Sequence, residues 1–133
     1  MRSGLGVSLP LPMDGIHHIA LRVNDCAVSA RFYARAFGLR EIRRIDEAGK
    51  PRAIWLRGGD VVLMLERSLR GAGAPAGSGH VIVFRTEDLS GAERRLRDSH
   101  IEVTDRTAST LYVEDPDGHR AGVSVFAFDG ETS

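Results

Sequence analysis

The sequence predicts an α+β protein built from two tandem βαβββ modules, with curved mixed sheets around a shared cleft. Two observations predict it. Each half of the chain holds one segment of helical periodicity that begins just after an Asp and lies among short β-favouring segments. The same order of segments then recurs in the second half, after a stretch of small residues.

The first strand is expected within residues 15–23, a short β-favouring run ended by Asn24 and Asp25. Asp25 is a good N-cap, and Val28, Phe32, Ala36 and Phe37 recur at helical spacing until Gly38 stops the helix. Three more strands are expected at 39–45, at 52–56 after the turn Gly49-Lys50-Pro51, and at 61–66 after Gly58-Gly59-Asp60. The run from Gly71 to Gly79 contains only Gly, Ala, Pro and Ser, which cannot pack a core and read as a linker. The pattern then restarts. Residues 80–85 form a strand, Asp88 caps a helix carrying Leu89, Ala92 and Leu96, and strands follow at 101–103, 110–113 and 121–126. This divides the chain into an N-terminal arm (1–14), a first module (15–67), the linker (68–79), a second module (80–128) and a short tail (129–133).

A chain of 133 residues with 42% hydrophobic content can bury one compact core and is too short for two large ones. Its 18 basic and 18 acidic residues cancel, which leaves no basic stripe for a phosphate backbone and argues against a nucleic-acid partner. Lys50 is the only Lys; the many Arg are spread along the chain as a compositional habit. Cys26 is the only cysteine, so no internal disulfide can form, and a reducing cytoplasm is the expected compartment. No run of about 18 apolar residues exists to span a membrane, and Pro10 and Pro12 interrupt the N-terminal arm before an apolar signal core can form.

Several short motifs follow one another in a particular order: His18-Ile-Ala-Leu-Arg-Val23, Ser29-Ala-Arg-Phe-Tyr33 running into Phe37-Gly38-Leu39, Gly79-His80, and Tyr112-Val-Glu-Asp-Pro-Asp-Gly-His119. Together they resemble the vicinal oxygen chelate superfamily of glyoxalases, bleomycin-resistance proteins and extradiol dioxygenases, across nearly the whole chain. The resemblance implies an open barrel around a divalent metal, with a first-strand His from each module as one ligand pair. His18 and His80 match that pair as repeat equivalents. The second pair is usually a Glu on each module's last strand, and here those places fall on Met64 and Gly122. Neither is a carboxylate. Two imidazoles alone hold a hard cation weakly, and a thioether adds little. Glu66, two residues beyond Met64 on the same strand face, would complete a two-His, one-carboxylate site, although a two-residue step of about 6.6 Å separates the positions.

The candidate substrate-contacting residues are His18, His80, Met64, Tyr112 and Arg22. Tyr112 stands where related resistance enzymes are expected to place a substrate-contacting Tyr, and Arg22 shares the alternating face of His18. Each has a structural reading too: strand histidines hydrogen-bonded in a cleft, a gap-filling Met, a half-buried aromatic, a solvated Arg. His17 and His119 read as surface residues, and Asp115-Pro116-Asp117-Gly118 as a turn in which Pro116 presets φ. Cys26 lies at a helix start, where the dipole lowers a thiol pKa, yet packing is its better reading.

Two functional classes stay open. One is a metal-free protein that binds a small organic molecule, as the bleomycin-resistance branch does; the other is a divalent-metal lyase, dioxygenase or thiol transferase using His18, His80 and Glu66. No cofactor is certain. Typical glyoxalase activity is not expected, because it would need both missing carboxylates. The spacing from Met64 to His80 resembles members that exchange modules between chains, which implies a homodimer with two clefts at its interface.

Overall fold

The computed structural model describes residues 13–68 and 79–128. In chain order the first module contains β1 (Ile19–Arg22), α1 (Cys26–Phe37), β2 (Arg40–Glu47), β3 (Lys50–Gly58) and β4 (Val61–Glu66). The second contains β5 (Val81–Arg85), α2 (Leu89–Asp98), β6 (Asp105–Arg106), β7 (Thr110–Glu114) and β8 (Arg120–Ser124). Two four-stranded mixed sheets result, ordered β1-β4-β3-β2 and β5-β8-β7-β6. In each, the first and last strands of the module run parallel and the remaining pairs antiparallel. The tandem βαβββ expectation holds. The arm, the linker and the tail lie almost entirely outside the described residues.

Both helices start where a carboxylate can take up orphan amides. Asp25 accepts from the backbone N–H of Ala27 and Val28, and Asp88 from that of Gly91. Helix α1 stops at Gly38, whose φ of 74° is the left-handed conformation that closes a helix cheaply only in Gly. The last carbonyls of α1 gain a second partner from the other module, because the Arg95 guanidinium donates to Ala34 O and Arg35 O. The strand expected at 101–103 does not form. Ile101 N–H still bonds back to Leu96 O as the chain leaves α2, and ladder pairing with β7 begins only at Thr104. The first strand is also shorter than expected, with Ile16 77% exposed ahead of it.

Strand pairing assigns side chains to faces, since paired residues share a face and alternate along each strand. In the first sheet Leu63 and Leu65 line up with Ile19, Leu21, Leu56 and Ile54, and this face is buried against α1. In the second, Ala121 and Val123 line up with Ile82, Phe84, Val113 and Leu111 in the same core cluster as Leu96 of α2. Truncating one of these fully buried Leu to Ala is expected to cost roughly 2–5 kcal/mol.

The modules join on the helix-covered side of both sheets. Phe37 of α1 stacks on Phe84 of β5 with ring centroids 4.6 Å apart. The turn between β7 and β8 supplies most of the polar contacts. Tyr33 Oη donates to Asp115 Oδ2 at 2.8 Å, Asp117 accepts from Asn24 N–H at 3.0 Å and from Ser29 Oγ at 3.3 Å, and His119 Nε2 lies 2.8 Å from Arg22 O. A carbonyl only accepts, so His119 carries its proton on Nε2. The turn residues expected to be merely structural, and His119 expected at the surface, therefore tie one module to the other. Asp115 Oδ1 also accepts the backbone N–H of Asp117 and His119, so the buried carboxylate is well satisfied.

Candidate functional site: the open faces of the two sheets

The face of each sheet opposite its helix carries the candidate residues. In the first sheet the register aligns Ala20, Met64, Trp55 and Arg43 in one row, with Arg22 and Glu66 in the next. His18 continues the alternation of Ala20 and Arg22, and its ring meets Trp55 edge-on with centroids 4.8 Å apart. His18, Trp55 and Met64 are all half-buried and form a floor. Trp55 was not singled out from the sequence, where a lone Trp near the end of a predicted strand carries no distinguishing pattern. Its Nε1–H is buried without a hydrogen-bond partner among the described residues. Glu66 points its chemistry elsewhere: Oε1 accepts Ser68 N–H at 3.0 Å and lies 3.9 Å from Arg52 Nε.

In the second sheet the corresponding row is Val83, Gly122, Tyr112 and Asp105. The Arg120 guanidinium lies 4.1 Å from the centroid of the Tyr112 ring and 3.0 Å from Asp105 Oδ2. A groove of about 890 Å³ opens beside this row, lined by Val83, Arg85, Thr110, Ser124, Phe126 and Phe128 among others. Val81, Val83, Phe126 and Phe128 are between 42% and 67% exposed, a concentration of apolar surface on this side of the sheet.

His80 does not stand in the place expected of it. Counted back from the helix N-caps, Asp25 and Asp88, and checked against the pairing of β1 with β4 and β5 with β8, the counterpart of His18 is Val81, while His80 matches His17. The repeat equivalence of His18 and His80 is thus off by one residue, and the first residue of β5 on the open face is a valine. Met64 and Gly122, by contrast, are equivalents as expected. Cys26 is buried with Sγ donating to Arg52 O and Leu65 O, and burial, the largest influence, pushes its thiol above the usual value. It is a packing residue.

The profile of the Glyoxalase/Bleomycin resistance protein/Dioxygenase superfamily matches residues 15–123. The chain belongs to that superfamily. Among solved structures, fosfomycin resistance protein FosX from Mesorhizobium loti shares 18% identity at a TM-score of 0.71, covering 88% of this chain and 95% of its own. Lactoylglutathione lyase from Agrobacterium tumefaciens shares 21% at 0.67, with coverage of 86% and 95%. TnmS3, an antibiotic binding protein from a Streptomyces strain, shares 19% at 0.66, with coverage of 86% and 98%. At these identities the likeness is one of fold. No curated protein sequence matches the chain.

The four-ligand metal site that the superfamily implies does not fit these residues. A side chain cannot simply be restored at position 122, because a Cβ there would lie 2.8 Å from Leu111 O and 3.1 Å from Cδ1 of Tyr112. The Tyr112 ring occupies the space in which a carboxylate would stand. Met64 offers only a soft thioether at the equivalent place, and the Glu66 carboxylate is held by Ser68 N–H. Among the described residues of one chain, no three His, Cys, Asp or Glu gather within reach of a common ion, so His18, His80 and Glu66 are not brought together. No helix among them is long and apolar enough to cross a membrane.

Proposed function

We propose that this protein binds a small organic molecule on its open sheet faces, without a four-ligand metal centre, as the antibiotic binding members of its superfamily do. One observation carries the reading. Both family carboxylate positions are given over to packing, Met64 in the floor beside Trp55 and Gly122 beneath the Tyr112 ring. What remains is a surface of Trp, Met, His, Tyr and Val with a few polar anchors, the composition of a ligand pocket. Arg22 and His18 sit on one such face and Tyr112 on the other, while exposed His80 lies just ahead of Val81, the first open-face residue of β5.

A homodimer completes the reading. Each open face is left uncovered by its own helix, and apposing the first sheet of one copy to the second sheet of another would enclose two equivalent clefts and cover Val81, Val83, Phe126 and Phe128.

Trp55 is the only tryptophan, so intrinsic fluorescence reports directly on the first open face. The test combines a fluorescence screen of small aromatic and apolar compounds with elemental analysis of dialysed and metal-reloaded protein, and light scattering for mass. Saturable quenching in metal-free dimer supports the proposal. Near-stoichiometric metal that disappears in His18→Ala would overturn it in favour of a metal-dependent lyase, dioxygenase or transferase using His18, His80 or Glu66.

A further inference from the structure

The two open faces carry opposite charge at equivalent positions, and this difference specifies the ligand. Counting from the row of Trp55 and its counterpart Tyr112, Arg43 corresponds to Asp105 and Arg57 to Glu114. On the second sheet the charges balance locally, with Arg120 paired to Asp105 and flanked by Glu114 in its strand register. On the first they do not. Arg40, Arg43 and Arg57 share the face, against Glu66, which is held by Ser68, and Asp46 near the far hairpin.

Arg40 and Arg57 are direct cross-strand partners, a placement in which like charges repel. Both are exposed, as is Arg43, and none of the three makes an ion pair among the described residues. Arg40 and Arg43 stand in β2 alongside Trp55, and Arg57 lies two residues beyond it in β3, so positive charge borders an aromatic floor. Covering the face with a second copy would not remove this excess, because the open face of the second sheet carries Arg85 and Arg120 as well as Asp105 and Glu114 and so brings no net negative charge.

We infer that the first open face selects a small aromatic anion, a planar ring over Trp55 and Met64 with a carboxylate or similar oxyanion held by Arg43 and Arg57. The inference rests on the small-molecule reading above and narrows it. Stacking supplies contact area, and guanidinium groups match the planar oxyanion in a way a solvated Lys would not.

The experiment is a Trp55 fluorescence titration with three matched probes, 2-naphthoate, 2-naphthamide and 2-naphthylmethylammonium, at fixed ionic strength. The expected order is naphthoate first by about tenfold over the amide, with the ammonium weakest. The double variant Arg43→Gln, Arg57→Gln should bring naphthoate to within about twofold of the amide, while Arg43→Lys, Arg57→Lys should keep part of the preference. Inorganic phosphate at matched ionic strength should not displace naphthoate, since it lacks the ring. Equal binding of all three probes would overturn the anion inference and leave small-molecule binding intact. Failure of every probe to quench would overturn the aromatic-anion inference, while the small-molecule reading would be decided by the broader compound screen. Phosphate displacing naphthoate would show an anion site without ring recognition, and a double variant that loses dimer mass instead of naphthoate affinity would assign the arginines to a subunit contact; either outcome rejects the inference.

Discussion

The two modules share one skeleton and differ in what they display. Their helix-covered faces are interchangeable in chemistry: Ile19, Leu63 and Leu56 in one answer Ile82, Ala121 and Val113 in the other, all apolar and largely buried. Their open faces are not. Trp55 with Met64 corresponds to Tyr112 with Gly122, and Arg43 and Arg57 correspond to Asp105 and Glu114. The lesson is that close packing constrains a core face to volume and apolarity, whereas a face without a packing partner is free to take up recognition chemistry. Even within the core the modules diverge at one position that matters: eight residues past each N-cap stand Tyr33 and Leu96, both buried, and only the phenol can reach across to Asp115.

The largest effect should come from testing the two inter-strand turns against each other. Asp115→Ala strands the Tyr33 hydroxyl and two backbone amides in a buried setting and is expected to cost about 2–4 kcal/mol, whereas Asp60→Ala in the exposed turn of the first module should cost under about 0.5 kcal/mol. Urea unfolding midpoints measure both, and equal costs would erase the distinction between the turns.

Next is an attempt to restore the family carboxylates one at a time. Gly122→Glu must displace the Tyr112 ring and crowd Leu111 O, at a cost of about 1–3 kcal/mol. Met64→Glu, on a half-buried open face, should cost no more than about half as much, and the same unfolding assay separates them.

Alkaline pH distinguishes Tyr33 from its silent counterpart Leu96. Burial first, then the neighbouring Asp115 charge and hydrogen bond, raise the Tyr33 phenol above its ordinary 10.0. A raised folded-state value means stability is fully present below the unfolded pKa and is lost as pH climbs beyond it, by about 1.4 kcal/mol per pH unit for one proton. The buried Cys26 thiol acts with the same sign from 9.0 upward. Unfolding free energy should therefore fall from about pH 9 and more steeply above 10. In Tyr33→Phe the steeper limb should vanish while the Cys26 component stays.

The smallest effect is expected on the surface of the second open face. Arg120→Gln removes the contact over the Tyr112 ring and the pair with Asp105, and should change stability by less than about 1 kcal/mol. A loss several times larger would mean that this ion pair organises the sheet rather than decorating it.

Some of the candidate site was legible in advance. His18, Arg22, Met64 and Tyr112 do lie on open faces, because strand alternation is a local rule and strands of this length obey it. His80 was assigned one position out of step, since a repeat read from a shared residue type ignores the fixed distance to the helix cap. Trp55 and the arginine row were missed altogether. A lone Trp and dispersed Arg look alike in sequence whether they share a face or not, and only pairing of β2, β3 and β4 puts them side by side.

What the sequence by itself determined is everything governed by short-range rules: two Asp caps, a Gly stop, turn residues, alternating apolar positions, and hence two βαβββ modules of one family. Tertiary structure alone decided which residues meet. The union of the modules through Tyr33, Asp115, Asp117 and His119, and the surrender of the Gly122 site to the Tyr112 ring, depend on register and side-chain reach across sheets, which no local pattern in the chain encodes.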